Sequence, residues 1–127
     1  MPKNINSMVF TSCEVIRVVD GDTVDVEFDL GFDVFTRQRL RLARINAPEV
    51  KGAKKIQGLE SKNAVAEWVA ESVGTGLTVT TTERDKYGRY IAEIELIEKN
   101  EKWSDGLKAL NLSDWLVKNG YAVYQEY

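Results

Sequence analysis

Five side chains along this sequence carry groups that could act together on a phosphate: Asp22, Arg41, Asn46, Glu49 and Arg89. Two carboxylates and an amide oxygen suit a hard cation, which prefers oxygen ligands. Two guanidinium groups suit a phosphate, which each can grip with paired hydrogen bonds. A metal, a base and two arginines around a phosphate are the parts of a phosphodiesterase site. Each residue alone has an ordinary reading. Asp22 follows a turn, where a solvated Asp is the default. Arg41 suits one half of an exposed ion pair, and its neighbours Arg37 and Arg39 read as surface residues. The segment DKYGR reads as a polar turn whose Gly88 supplies a positive φ. The combination says more, because in a small barrel the ends of different strands meet at one rim.

The chain as a whole is acidic, with 20 Asp and Glu against 17 Lys and Arg, yet four arginines stand in RQRLRLARINAPE (37–49). A net charge of −3 argues against indiscriminate coating of nucleic acid but leaves room for a local basic face. That face would comprise Arg41, Arg44, Lys86 and Arg89, with Lys51, Lys54 and Lys55 on the flanking loop. The absence of histidine excludes Ser-His and Cys-His catalysis and any zinc site built on imidazole. The single cysteine, Cys13, precedes an apolar strand pattern and reads as a small buried or edge side chain. The start MPKNINSMVF lacks the basic and apolar regions of a secretory signal, and no run approaches the ~18 apolar residues of a membrane span. The expectation is a cytoplasmic protein with no membrane partner.

A length of 127 residues suits one domain. Residues 1–12 read as a loose lead-in and 13–127 as the domain. Strands are expected at CEVIRVV (13–19), DTVDVEF (22–28), VFTRQRLRLARI (34–45), LTVTTTE (77–83) and RYIAEIELI (89–97), each with apolar and polar residues alternating. Asp20-Gly21 is expected to form a hairpin turn with both φ values positive. Pro48 ends the third strand. Apolar spacing through Leu59, Ala66, Val69 and Val73 predicts a helix that stops at Gly74, and LSDWLVKNG a short helix capped by Ser113 and ended by Gly120. The fold class that follows is α+β, mainly β: a five-stranded OB-fold-type barrel with a helix between strands three and four and a short C-terminal helix. On that order Asp22 begins strand two, Asn46 and Glu49 flank the end of strand three, and Arg89 begins strand five.

Four stretches, VVDGDTV (18–24), RLARINAPE (41–49), DKYGR (85–89) and LVKNGYA (116–122), resemble in order and spacing the staphylococcal nuclease (thermonuclease) family. The resemblance implies an OB-type barrel and one bound Ca2+. It implies that Asp22, Asn46 and the backbone carbonyl of Ala47 are metal ligands, with Glu49 near the ion through water and acting on the attacking water. Arg41 and Arg89 would bind the scissile phosphate, and Lys86 and Tyr87 the terminal phosphate or sugar. The implied reaction cleaves DNA and RNA at the 5′ P–O bond and leaves 3′-phosphates. A tyrosine near the C-terminus contacts nucleotide in longer members, which makes Tyr121, Tyr124 and Tyr127 candidates. Asn46 stands where the best-known members carry aspartate. The longer members also have a further C-terminal helix, whose cover over the core Trp103 and Trp115 would supply here. The rival reading is a non-catalytic nucleic-acid-binding or scaffold module on the same fold. Either way the expected state is a monomer.

Overall fold

The computed structural model describes residues 7–72, 76–96 and 111–126. The alternating segments form strands: β1 (Met8–Phe10), β2 (Cys13–Asp20), β3 (Thr23–Asp29), β4 (Phe35–Leu42), β5 (Ile45–Asn46), β6 (Leu77–Arg84), β7 (Tyr90–Leu96) and β8 (Val123–Tyr124), with helices α1 (Lys55–Glu71) and α2 (Leu112–Lys118). In β3, Val24, Val26 and Phe28 are buried while Asp25 and Glu27 lie half-exposed on the other face, as a period of two requires. They join Leu40, Leu42, Trp68 and Ile94 in one core. The architecture is mainly-β α+β.

The sheet has six strands in the order β1-β6-β7-β4-β3-β2, and β5 and β8 form a separate pair. A five-stranded OB-type barrel was the expectation; the main sheet has six strands instead, and its ladder is not closed. Residues 8–10, inside the stretch read as a lead-in, pair with Thr81, Thr80 and Val79 of β6. They take the edge of β6 that β2 would need for closure. The sheet curls nonetheless, bringing Cys13 Sγ at the start of β2 to 3.8 Å from the Leu77 carbonyl at the start of β6. One strand pair is parallel, with Leu40 opposite Tyr90 and Arg41 opposite Ile91. This step sets the end of β4, with Arg41, beside the start of β7, immediately after Arg89.

The third expected strand ends early, at Leu42. Arg44 adopts φ 66°, a left-handed conformation that turns the chain out of the sheet, and Ile45–Asn46 then pairs with β8. The β2–β3 turn also differs from expectation. Asp20 pairs with Thr23, so Gly21 and Asp22 are the central residues, and Gly21 does not have a positive φ. Its role is close approach, since a Cβ there would lie 2.6 Å from Ser61 Cβ and 3.0 Å from Ala47 Cβ.

Helix α1 begins four residues before the expected start and buries Gly58, Ser61, Ala64, Val65 and Trp68. Leu59 and Ala66 face outward, so the buried stripe is displaced from the apolar spacing, and Val73 and Gly74 lie outside the described residues. In α2 the cap is Asn111, whose Oδ1 accepts from Asp114 N at 3.0 Å, and not Ser113, which is fully buried. The helix does end at Gly120 (φ 80°), where Gly120 N–H donates to Val117 O and Tyr121 N–H to Leu116 O, a Schellman motif. Trp115 packs against the core, and Trp103 lies outside the described residues. No described helix is long and apolar enough to cross a membrane.

Candidate active site

Three chain segments meet at Asp22. Its main-chain carbonyl accepts from Leu42 N at 2.8 Å, at the end of β4. Its carboxylate is buried: Oδ1 accepts from Thr23 Oγ1 at 3.0 Å and Oδ2 from Ala47 N at 2.9 Å. Arg41 enters the same point with a side chain only 8% exposed. Its Nη2 lies 3.4 Å from Asp22 Oδ2 and 3.3 Å from Asn46 Oδ1, and its Nη1 donates to Leu42 O at 3.1 Å. The turn residues Gly21-Asp22, the end of β4 and the β5–Ala47 segment are thereby knotted through one guanidinium.

The donors at this knot are a carboxylate, an amide oxygen and, at Ala47, a backbone carbonyl on the same segment. They are of the kind a hard divalent cation takes, and of low total charge. Among the described residues, no three acidic or cysteine side chains cluster as a metal nest. Carboxylate charge at the knot therefore comes from Asp22.

Glu49 is exposed, three residues beyond Asn46 and just past Pro48. It lines a cavity of about 460 Å³ together with Asn46, Ala47, Lys54, Gln57, Glu60 and Tyr121. Asp22, Arg41 and Arg89 are not on its wall; the first two connect to it through Asn46 and Ala47. Among the described residues the Glu49 carboxylate has no hydrogen-bond or ion-pair partner.

Arg89 is organised by a residue that carried no role in the sequence reading, Asp85. Its Oδ1 accepts from the backbone N–H groups of Tyr87 and Arg89 at 2.9 and 3.0 Å. Its Oδ2 accepts from Arg89 Nε at 2.8 Å and lies 2.7 Å from Arg89 Nη2. Burial pushes the Asp85 carboxyl up, but the bonds from the Arg89 backbone, the Arg89 side chain and the Tyr87 backbone together hold it below the usual range. Gly88 takes φ 83°, as expected for this turn. The exposed Tyr87 ring lies beneath two cations, Lys86 Nζ at 5.2 Å and Arg89 Cζ at 5.3 Å from its centroid. The i, i+4 acid–Arg spacing across a glycine was the available signal for Asp85.

The tyrosine candidates part company. Tyr121 is half-buried on the cavity wall, stacked with Trp115 at 6.1 Å, and its carbonyl accepts from Ser61 Oγ at 2.7 Å. Tyr124 donates its hydroxyl to Asp114 at 2.8 Å, and Tyr127 lies outside the described residues. Arg44 belongs to that second group, 2.6 Å from Glu93 and 2.9 Å from Asp114, so acids already partner this member of the expected basic face. The Glu93 and Asp114 bonds raise the Arg44 pKa, while Arg44 holds Asp114 below the usual carboxylate range. Arg37 and Arg39 pair at the surface with Glu27 and Asp25. Lys51, Lys54 and Lys55 are exposed, and Lys54 stands on the cavity wall. Cys13 is half-buried, and burial pushes its thiol up to about 11, which leaves it protonated and unreactive near neutrality.

A family model described as staphylococcal nuclease homologue matches residues 39–127. Two curated relatives, from Escherichia coli O157:H7 and Escherichia coli and each described as an uncharacterized endonuclease, are 34% identical over 114 residues, which is 89% of this chain and 61% of theirs. The chain thus spans about three-fifths of the length of the curated relatives it matches.

Proposed function

The chain belongs to the staphylococcal nuclease homologue family, and from that premise we propose that it is a calcium-dependent phosphodiesterase that cleaves DNA and RNA at the 5′ P–O bond and leaves 3′-phosphates. The observation that carries the reading is the knot of Asp22, Arg41, Asn46 and Ala47, which joins an oxygen donor set to a guanidinium within 3.4 Å. A buried carboxylate–arginine pair costs desolvation and is weak as a stabilising device, so a working role accounts for it better. The curled sheet with its two helices is consistent with an OB-type barrel carrying an added edge strand.

In this reading Asp22, Asn46 and the Ala47 carbonyl would hold one calcium ion, and Glu49 would reach it through water. The ion, when bound, supplies Lewis-acid polarisation of the scissile phosphate. Arg41 and Arg89 bind the phosphate and offset charge developing on its equatorial oxygens. The Glu49 carboxylate orients the attacking water and takes its proton. Lys86 and Tyr87 bind the terminal phosphate or sugar. Tyr121 flanks the nucleotide, since it lines the same cavity as Glu49 while the Tyr124 hydroxyl is committed to Asp114. The protein acts as a monomer, with no membrane partner. The rival, a non-catalytic nucleic-acid-binding or scaffold module, draws on Asn46, which leaves the donor set short of charge. Digestion of single-stranded DNA, double-stranded DNA and RNA with calcium, with magnesium and with chelator decides between them. Cleavage strongest with calcium and abolished by chelator is expected. Nucleic-acid binding without cleavage under every ion favours the rival.

A further inference from the structure

We infer that the Gly58–Ser61 face of α1 gauges the placement of Glu49 against Asp22, which makes Gly58 a positioning residue for the cleavage reaction; the inference rests on the nuclease reading above. Glycine is the poorest helix former apart from proline, yet position 58 lies inside α1. Its φ is not positive, so backbone conformation does not demand glycine. Proximity does. A Cβ at Gly58 would overlap the carbonyl oxygen and carbon of Glu49 and lie 2.8 Å from Val50 N. These are backbone atoms, which cannot swing aside as a side chain can, so any larger residue displaces the Glu49 segment.

One helical step on, at i+3, the same face meets the turn that carries the other acid. Ser61 is 2% exposed, and its Cβ faces the turn that carries Asp22, where Gly21 has room for no Cβ of its own. Its hydroxyl donates to the Tyr121 carbonyl at 2.7 Å and so anchors the tyrosine side of the cavity. A short stretch of α1 therefore touches the segments bearing Asp22, Glu49 and Tyr121. With no described partner for its carboxylate, Glu49 takes its position from the backbone seat that Gly58 provides. Misplacing a reacting group by about 1 Å can cost about 100-fold in rate.

The test is Gly58→Ala in the full chain, alone and combined with Glu49→Gln, with calcium-supported cleavage and backbone amide spectra measured on each. The expected results are a kcat about 10- to 100-fold lower with KM held within about twofold, displaced Glu49 and Val50 amide signals, and no added loss from Gly58→Ala once Glu49 is Gln. A parental kcat with unmoved amides overturns the inference. So does a loss that multiplies in the Glu49→Gln background, because the glycine then acts through some other group. If the parent cleaves nothing, the nuclease reading falls, and the amide spectra alone judge the placement of Glu49: unmoved signals overturn it. If Gly58→Ala does not fold, hydrogen exchange of the parent decides. Glu49 and Val50 opening together with the first turns of α1 supports the seat, and independent opening overturns it.

Discussion

On the calcium-dependent reading proposed above, metal affinity turns on Asn46. Its Oδ1 accepts from Arg41 Nη2 at 3.3 Å, so it faces the same point as Asp22. Oxygen sites tune divalent affinity through ligand charge. One added charge about 4 Å from an ion, at an effective dielectric near 20, is worth about 4 kcal/mol per unit charge before desolvation and screening. Those costs are large, and a net gain of about 1 kcal/mol, or roughly fivefold in affinity, is expected for Asn46→Asp. Repulsion between the new carboxylate and Asp22 is offset by Arg41, which stands between them, so the metal-free protein should lose only a little stability. Calorimetric titration with calcium, beside metal-free melting curves, measures both effects. An unchanged affinity contradicts the place given to Asn46.

At the scale of elements, α2 offers a contrast between two neighbouring residues. Asn111 caps the helix by accepting from Asp114 N–H, so Asn111→Ala should cost about 1 kcal/mol. Ser113 Oγ is buried without a hydrogen-bond partner among the described residues, so Ser113→Ala should be neutral or stabilising. Denaturant melts of both variants check the pair, and a large loss at Ser113 with none at Asn111 contradicts it. The same contrast explains what a reading of residues can reach. The long strands were legible because alternation such as Val24, Val26, Phe28 is a local property. The cap was misassigned because Asn111 and Ser113 are both good cap residues, and only the helix geometry chooses. The start of the buried face of α1 was hidden because it is made by Gly58 and Ser61, which carry no hydrophobic signal, ahead of Ala64, Val65 and Trp68. The open ladder depends on which strand takes the free edge of β6, a contest between β1 and β2 that neither segment encodes alone. At the site, Asp22, Arg41, Asn46 and Ala47 were legible as a group through ordered motifs. Asp85 announces itself less, because half of its carboxylate's partners are backbone N–H groups, which no residue type signals.

For the molecule as a whole, charge is sorted rather than absent. Several arginines are matched to acids across the sheet, whereas the lysines of the 51–55 segment are exposed, Lys54 on the cavity wall. This sorting governs the response to pH. Asp25, hydrogen-bonded by Arg39, and Asp114, hydrogen-bonded by Arg44, titrate below the usual carboxylate range, as does Asp85 through its Arg89 and Tyr87 bonds. A carboxylate with a depressed folded pKa stabilises the fold above its unfolded pKa, about 3.9 for Asp, and that contribution is lost as pH falls through the folded value. Cys13 works in the opposite direction. Its folded pKa of about 11 lies above that of the free thiol, so its contribution is complete below about pH 8.5 and is lost as pH rises toward 11. With no histidine, nothing of that kind titrates near neutrality. Thermal midpoints should therefore be level from about pH 5 to 8 and fall on both sides. The acid limb should flatten in Asp85→Asn and the alkaline limb in Cys13→Ala. Limbs that ignore both substitutions contradict the assignment.

On the proposed reading, Glu49 and Arg89 do chemistry on a phosphate rather than hold the fold. The direct measurement is single-turnover cleavage of a single-stranded oligonucleotide with calcium by the parent, Glu49→Gln and Arg89→Ala, with thermal melting of the same samples. Each variant should be slower by at least about a hundredfold, the scale of losing one well-placed catalytic group. Glu49 is exposed, and Arg89 pairs with Asp85 at the start of β7 and outside the core, so the melting midpoints should stay near that of the parent. Parental rates in either variant, or rates that fall only in step with the midpoints, would mean that the residue concerned has no part in the chemistry.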